Sequence, residues 1–380
     1  MKYLPRFSTI ALILLCSFLT FVVKIETEIQ KELVSHNSSD LIKQLETQKL
    51  KDYSIPEDYD ASLTSPGWKC SSSSPSPSSS QKKVIFVHVF KTAGSTFRTF
   101  FDNYGAQCGR GVTTIIHCSD LTSKSLNEKN PRKKWRPKCT IKKTQTRSKK
   151  VISQGKKATR DHLQKYTDIA IGHMPYGIHK RWVVKPNKEP VIPQYITFFR
   201  EPYVKFVSGR LFDNRNKHWN LNQAVTFIKK DIRERYKEDK YFNGYKSYLT
   251  TPDEKKLQNI SQEEWMQFVK KNIIESHTIV GIVEYMSESL ELIQSVIDVD
   301  REQTSSFKQL ISPEKPMKKN QSSLSSSKIV GILKEDKEVF EILTELLKYE
   351  FEIYEFAIQV HRLQVEELRK KHGEKYTFKN

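Results

Sequence analysis

The 380-residue sequence lacks three features that would place it in a familiar class. It has no evident Walker-type loop, G-x-x-x-x-G-K-[ST], which argues against a magnesium-dependent kinase or nucleotide hydrolase. Its five cysteines are not spaced as zinc ligands. It contains no recognisable nucleic-acid-binding module, although basic residues exceed acidic ones by a formal net charge of +20. These absences disfavour a nucleotide hydrolase, a zinc protein and a nucleic-acid-binding protein.

Acidic residues are also scarce in one long stretch, residues 121–160, where Glu128 is the only acid among many lysines and arginines. A block of like charge is often a solvated, mobile loop. The alternative is that it gathers an anionic polymer and raises the rate of encounter. We predict a basic insert here that interrupts the fold.

A single long apolar run occupies residues 7–23, after Lys2 and Arg6. It is just long enough to span a bilayer, and the basic residues before it favour a cytosolic N-terminus. A cleaved signal peptide is the alternative, but no clear small-x-small cleavage site follows before Lys24. We predict a cytosolic tail over residues 1–6, a single-pass type II transmembrane signal anchor over 7–23, and a lumenal domain beyond it.

Residues 24–82 are polar and of low complexity, and they close with a run of serines and prolines. Such a composition buries too little apolar surface to offset the entropy of ordering, so we predict a lumenal stem. Residues 83–371 suffice for one sizeable domain.

An oxidising lumen favours disulfides and N-glycosylation. Four cysteines lie beyond the anchor, and among their three possible pairings the sequence does not choose: Cys70, Cys108, Cys118 and Cys139. Three glycosylation sequons fall on the predicted lumenal side, at Asn37, Asn259 and Asn320.

Short apolar runs alternate with helical patterns through the domain. The predicted strands lie near residues 84–89, 168–172, 194–199 and 278–283, and the predicted helices near 95–104, 202–212, 221–236, 261–274 and 286–298. One or two further helices are predicted over 333–371. This alternation predicts an α/β fold, with a parallel central sheet flanked by helices.

Residues 83–98 are the most informative segment, because a buried-strand pattern runs directly into a lysine, two small residues and two hydroxyls. We expect Gly94 to let the backbone turn tightly, so that its N–H groups converge. A helix that starts near Ser95 adds the positive end of its dipole. The segment predicts a phosphate cradle made by Lys91, Thr92, Ala93, Gly94, Ser95 and Thr96.

A second segment places Arg200 at the end of a predicted strand and Pro202 in the first turn of a helix. Ser208 follows on that helix. A guanidinium fork and a hydroxyl donor that meet at one point suit a second phosphate. Two such sites about a hundred residues apart are stronger than either alone.

A third segment, 168–179, reads as a strand that ends in Gly-His and continues into a loop. Because the carboxyl ends of parallel strands border the ligand crevice, we expect His173 to face that crevice. Neutral imidazole can accept a proton near neutral pH. His117 is the second candidate base, whereas His88 and His179 read as structural.

The three segments resemble motifs of the Golgi-type carbohydrate sulfotransferases, of the heparan sulfate 2-O- and 6-O-sulfotransferase kind, which use 3′-phosphoadenosine 5′-phosphosulfate. The resemblance covers residues 83 to about 360 and implies the P-loop-like sulfotransferase fold. It implies that the cradle, with Lys91 as a catalytic residue, holds the 5′-phosphosulfate. Arg200 and Ser208 would hold the 3′-phosphate, and His173 would be the general base, with no metal. Glu284 matches a position near the cleft.

The resemblance also implies a carbohydrate acceptor, glycosaminoglycan-like in character, and a place in the Golgi membrane with the catalytic domain in the lumen. Two other functions stay open at this point: a non-catalytic protein that binds anionic polysaccharide on the same fold, and a P-loop kinase or nucleotide hydrolase. The acceptor sugar, the hydroxyl position and the oligomeric state are not predicted by these residues.

Overall fold

The computed structural model describes residues 53–62, 83–119, 138–145, 150–151, 167–181, 193–251, 260–297 and 324–372. The predicted anchor, the three sequons and most of the basic insert lie outside these ranges. None of the helices within them combines the length and the apolar character needed to cross a membrane.

The strands in this part of the chain form one sheet in the order β4-β3-β2-β5-β1-β6-β7. They are β1 (Val84–Val87), β2 (Val112–Ser119), β3 (Lys138–Gln145), β4 (Lys150–Val151), β5 (Ile169–Gly172), β6 (Gln194–Phe199) and β7 (Ile279–Ile282). The five strands β2, β5, β1, β6 and β7 are parallel, and β3 and β4 extend one edge as antiparallel neighbours. The predicted parallel central sheet is therefore confirmed.

Helices cover both faces of this sheet. They are α1 (Gly94–Cys108), α2 (Pro202–Asp213), α3 (Leu221–Lys237), α4 (Lys246–Leu249), α5 (Gln262–Glu275), α6 (Met286–Ile297), α7 (Ser326–Glu335) and α8 (Lys337–His372). Short 3₁₀ turns lie at Ile178–Arg181 and Arg215–Lys217. Strand β1 is buried on both sides, because Val84 and Phe86 join one apolar cluster while Ile85 and Val87 join another.

Strands β2, β3 and β4 were not predicted. Part of the stretch that we expected to be a basic loop, residues 138–145 and 150–151, is paired in the sheet. β4 lies at the edge of the sheet, and β2 and β3 gain their hydrogen bonds from neighbouring strands, so these three sequences need no continuous apolar run. One side-chain bond at this edge joins the hydroxyls of Thr113 and Thr144 at 3.0 Å.

The segment 53–62 was predicted to belong to an unstructured stem, and here the structure differs. Tyr53, Ile55 and Tyr59 pack against the apolar cluster that includes α5 and α8. The backbone N–H of Tyr53 donates to Gln267 at 2.5 Å, and the amide of Gln364 donates to the hydroxyl of Tyr59 at 3.3 Å. Three apolar side chains within seven residues give this segment enough buried surface to stay ordered.

Cys108, at the end of α1, forms a disulfide whose partner lies outside the residues whose side chains are described. The antiparallel register of β2 and β3 places the backbone of Cys118 opposite that of Cys139.

Candidate active site

The three motifs converge at the carboxyl ends of the central strands. β1 lies between β5 and β6: strands β2 to β5 lie on one side of β1, and the chain then crosses to the other side to form β6 and β7, so the strand order reverses at β1. The N–H of His88 donates to the carbonyl of Gly172 at 2.9 Å, and Thr197 Oγ1 donates to the carbonyl of Val87 at 3.1 Å. A crevice at such a switch point is where open α/β sheets bind ligands.

The connection from β1 to α1, residues 88–94, is called the donor loop below. Two residues in it adopt left-handed backbone angles that side chains other than glycine rarely take: Lys91 at φ 66° and Ala93 at φ 59°. Ala93 is the N-cap of α1 and makes no side-chain cap, and the first turn of the helix contains no acidic residue. Strained backbone beside an uncapped helix start is the arrangement expected of an anion-binding loop.

Gly94 has a different role from the one we expected. The left-handed turns fall on Lys91 and Ala93, so Gly94 is not needed for a tight turn. Instead, a Cβ placed on Gly94 would lie 1.7 Å from Cδ2 of the His88 ring. Glycine is required here because the imidazole of His88 occupies the space that a side chain would fill.

Not every group of the predicted cradle is available to a ligand. The Thr92 hydroxyl donates to the carbonyl of Val89 at 2.9 Å and is fully buried. The N–H of Thr96 donates to the carbonyl of Ala93 at 2.9 Å. These bonds stabilise the loop. Because the N–H of Thr96 is already engaged, the candidate N–H donors to an anion are those of the residues before Thr96. The side chain of Ser95 lies outside the description.

Arg200 and the donor loop face the same crevice. Arg200 Nη1 donates to the carbonyl of Lys91 at 3.3 Å, and the buried Nε of Arg200 has no hydrogen-bond partner. Burial lowers the pKa of the Lys91 ammonium, and the nearby guanidinium of Arg200 lowers it further. The site thus contains two neighbouring, partly buried cations and a guanidinium N–H without a hydrogen-bond partner. A bound anion would stabilise this arrangement.

The tyrosine hydroxyl of Tyr245 fixes the backbone that carries Arg200. It donates to the carbonyl of Arg200 at 3.1 Å and lies 3.2 Å from the N–H of the same residue, which donates to it. Tyr245 is fully buried, and no motif in the sequence pointed to it. An aromatic residue in a polar loop could have suggested a buried support, but not which residue it supports.

Helix α2 begins beside Arg200 and packs against the donor loop. The rings of Phe90 and Phe212 meet edge to face at 5.4 Å between centroids. A Cβ on Gly209 would lie 3.6 Å from the Phe90 ring. Ser208, the residue before Gly209, is half-buried. The helix that carries Ser208 thus adjoins the loop that carries Lys91.

The ring of His173 is oriented by the backbone of the donor loop. Its Nδ1 lies 2.8 Å from the carbonyl oxygen of His88. Since a carbonyl only accepts, Nδ1 carries the proton, and in the neutral ring Nε2 is the nitrogen with the in-plane lone pair. The structure therefore leaves His173 in the tautomer that a base acting through Nε2 requires.

The other histidines are placed differently. The His88 ring stacks on His173 at 4.3 Å between centroids, and burial lowers its pKa well below the usual value. His179 lies 2.7 Å from the hydroxyl of Tyr195 and is buried. His117 lies in β2, and its side chain is outside the description. His88 and His179 are both buried, and their assignment as structural residues stays a prediction.

Glu284, at the end of β7, braces the start of α2. It accepts the N–H of Glu201 at 3.2 Å and the hydroxyl of Tyr354 at 2.9 Å. Glu201 in turn caps α2 by accepting the N–H of Val204 at 2.7 Å. These contacts give Glu284 a supporting position next to Arg200.

Comparison with known proteins agrees with this geometry. A search of curated proteins found no match to the chain. Across the residues described, no cluster of histidine, cysteine, aspartate or glutamate could hold a metal ion. A profile of the sulfotransferase family matches residues 78–357, which is most of the chain and includes the donor loop, His173, Arg200 and Ser208. The protein therefore belongs to the sulfotransferase family, which includes Golgi carbohydrate sulfotransferases.

Proposed function

We propose that this protein transfers a sulfuryl group from 3′-phosphoadenosine 5′-phosphosulfate to a hydroxyl of a carbohydrate. Members of the family catalyse sulfuryl transfer and generally use this donor. The observation that carries the proposal is the meeting of Lys91, Arg200 and His173 at one crevice, joined through the backbone of the donor loop.

The ribose of the donor carries a phosphosulfate at its 5′ position and a phosphate at its 3′ position, and the crevice offers a binding site for each. The donor loop and the start of α1 hold the 5′-phosphosulfate, with Lys91 neutralising charge on the leaving phosphate oxygen. Arg200 and Ser208 hold the 3′-phosphate. The buried and unpartnered Nε of Arg200 supports this assignment, because a bound phosphate would satisfy it.

The bound donor supplies an electrophilic sulfur. The acceptor oxygen forms a new bond to sulfur while the bond from sulfur to the phosphate oxygen breaks, and adenosine 3′,5′-bisphosphate leaves. His173 takes the hydroxyl proton at Nε2 while its Nδ1–H stays bound to the carbonyl of His88. That backbone bond also stabilises the imidazolium that forms.

The acceptor and the location follow from the rest of the sequence. We propose a glycosaminoglycan-like acceptor, which suits a chain with a net charge of +20. A signal anchor over residues 7–23 would place the catalytic domain in the Golgi lumen, where sulfated polysaccharides are made. An antibody against the catalytic domain should bind in Golgi vesicles only after the membrane has been permeabilised, and binding to intact vesicles would contradict this orientation.

Three variants of the full chain test the reaction. Lys91→Ala and Arg200→Ala should each weaken binding of adenosine 3′,5′-bisphosphate at least about tenfold, since each removes a charged contact to phosphate. His173→Ala should leave that binding intact and lower sulfate transfer at least about a hundredfold. The measurements are calorimetric binding and transfer of labelled sulfate to a panel of glycans.

Matched variants control for charge and fold. Lys230→Ala removes an exposed lysine, and His277→Asn replaces an exposed histidine with a residue that tolerates its left-handed backbone. Both should behave as the wild type. Binding of ATP with magnesium in place of the bisphosphate would favour a nucleotide enzyme. Polysaccharide binding without any donor binding would favour a non-catalytic binding protein.

A further inference from the structure

The turn after α2 carries two exposed cations, Arg215 and Lys217, which together are called the rim. The Arg215 guanidinium lies 4.4 Å from the centroid of Phe212 and donates to the carbonyl of the same residue at 3.1 Å. The Lys217 ammonium lies 5.2 Å from the ring of Trp219 and 5.3 Å from that of Phe227. Aromatic faces hold both charges in place without neutralising them.

The rim differs in this respect from the helix that follows it. Within the described part of the chain, neither rim residue forms an ion pair with a carboxylate. On α3, by contrast, Lys229 pairs with Asp336 at 2.7 Å and Arg235 with Asp231 at 3.0 Å. The carboxylate closest in sequence, Asp213, is engaged by Arg210 at 3.5 Å. The rim is thus positive charge that its surroundings leave uncompensated.

The rim lies next to the end of the crevice where sulfuryl transfer is proposed. The Phe212 ring that supports Arg215 also contacts the Lys91 ammonium, 4.6 Å from its centroid. The positive charge of Arg215 contributes to lowering the pKa of Lys91, consistent with this closeness. Lys91 is the residue assigned to the leaving phosphate oxygen. Arg215 and Lys91 therefore contact the same Phe212 ring, which places Arg215 next to the proposed site of transfer.

We infer that the rim binds anionic groups, carboxylate or sulfate, of an acidic polysaccharide acceptor beside the reacting hydroxyl. This inference rests on the proposed function and adds to it the residues that select the acceptor. A guanidinium matches the two oxygens of a carboxylate or sulfate with paired N–H groups. Each exposed ion pair contributes little binding free energy, so the two fixed charges act mainly by raising the rate at which the acceptor binds and by aligning it in the crevice.

The test compares two double variants of the full chain that remove equal charge. R215A/K217A removes the rim, and K230A/K370A removes two lysines that are each 74% exposed, on α3 and α8. The probe is a heparin-derived hexasaccharide, titrated with the protein saturated in adenosine 3′,5′-bisphosphate. The rim variant should bind it about five- to twentyfold more weakly and with a smaller salt dependence, while the control stays near the wild type.

A further variant, Arg215→Lys, keeps the charge but loses the planar fork, and it should fall between the wild type and R215A/K217A. Equal hexasaccharide affinity for the rim and control variants would overturn the inference. So would a loss of bisphosphate affinity in R215A/K217A, since the rim would then serve the donor. If the wild type binds no bisphosphate, the proposed function fails, whereas the comparison without bisphosphate still decides whether the rim binds acidic polysaccharide.

Discussion

At the scale of the residue, His88 connects the donor loop to the proposed base. Its carbonyl fixes the tautomer of His173, and its ring covers one face of the His173 ring. His88 is only 6% exposed, and its Nδ1 is buried without a partner. Burial disfavours the charged ring, and protonation would add a positive charge close to His173, Arg98 and Lys91, so the folded protein keeps His88 neutral.

This burial predicts a pH dependence of stability. An unfolded histidine gains a proton near pH 6.5, whereas His88 in the folded state resists it to lower pH, so acid favours unfolding. Its contribution is present above about pH 6.5 and is progressively lost as the pH falls below that value. Urea unfolding across this range should show a steeper loss of unfolding free energy for the wild type than for His88→Phe.

The buried histidine His361 does not affect the difference in pH dependence between the wild type and His88→Phe. It is also buried and its pKa is lowered by burial, but it is present in both proteins and its contribution cancels in the difference. Parallel curves for the wild type and His88→Phe would show that His88 can be protonated without cost.

At the scale of the element, a buried ion pair joins α2 to α8 behind the Arg200 site. The Lys205 ammonium donates to the carboxylate of Glu350, and both side chains are almost completely buried. Glu350 also accepts the N–H of Tyr245 at 3.0 Å, and Tyr245 holds the backbone of Arg200. The pair therefore sets the position of the proposed 3′-phosphate site.

Breaking one side of this pair should be costly. Lys205→Met leaves Glu350 charged and unpaired in the core, which we expect to cost about 3–5 kcal/mol of unfolding free energy. The double variant K205M/E350Q keeps an oxygen for Tyr245 and should recover a large part of that loss. Urea unfolding of the wild type, Lys205→Met, Glu350→Gln and the double variant gives the coupling free energy between the two residues.

The exposed pair of Lys348 and Glu345, 2.7 Å apart, provides the matched control. Lys348→Met should change the unfolding free energy by less than about 1 kcal/mol. If Lys205→Met costs no more than Lys348→Met, the buried pair does not hold α2 in place.

The elements that sequence could predict are those buried on both faces. Strands β1, β5, β6 and β7 lie within a residue or two of their predicted positions, because their apolar runs are continuous. Strand β3, in which six of the eight residues are lysine, threonine or glutamine, is defined by its pairing with β2 and has no such run. Pairing between distant segments leaves no local pattern to read.

The site divides in the same way. Lys91, Arg200 and His173 follow strand ends, so parallel strands had to bring them to one edge of the sheet. The supports of these residues were not predictable, because Tyr245 and Glu350 reach the site through contacts distant in sequence. The role of Gly94 was misassigned since the close approach of His88 depends on three-dimensional packing.

At the scale of the whole molecule, the folded domain includes residues that the sequence assigned to the stem. The segment 53–62 packs on the cluster formed with α5 and α8, and Tyr59 stacks on His277 at 6.5 Å. Its apolar side chains cover core surface that would otherwise meet water. Part of the predicted stem is thus a structural component of the domain.

Substitution in the full chain tests this attachment. Tyr59→Ala removes a half-buried ring and its bond to Gln364, and it should lower the melting temperature by about 2 °C or more. Asp58→Ala, at an exposed neighbouring position, should leave it unchanged within about 1 °C. Equal melting temperatures for the two variants would show that the segment contributes nothing to the fold.

The donor loop, which follows β1, also connects the ends of β5 and β6, two strands that come much later in the chain. Within seven residues it bonds to His173 after β5 and to Arg200 after β6, while itself continuing β1. The proposed donor site and the proposed base consequently share one scaffold. A fragment that lacks any one of these three strands is expected to lose both.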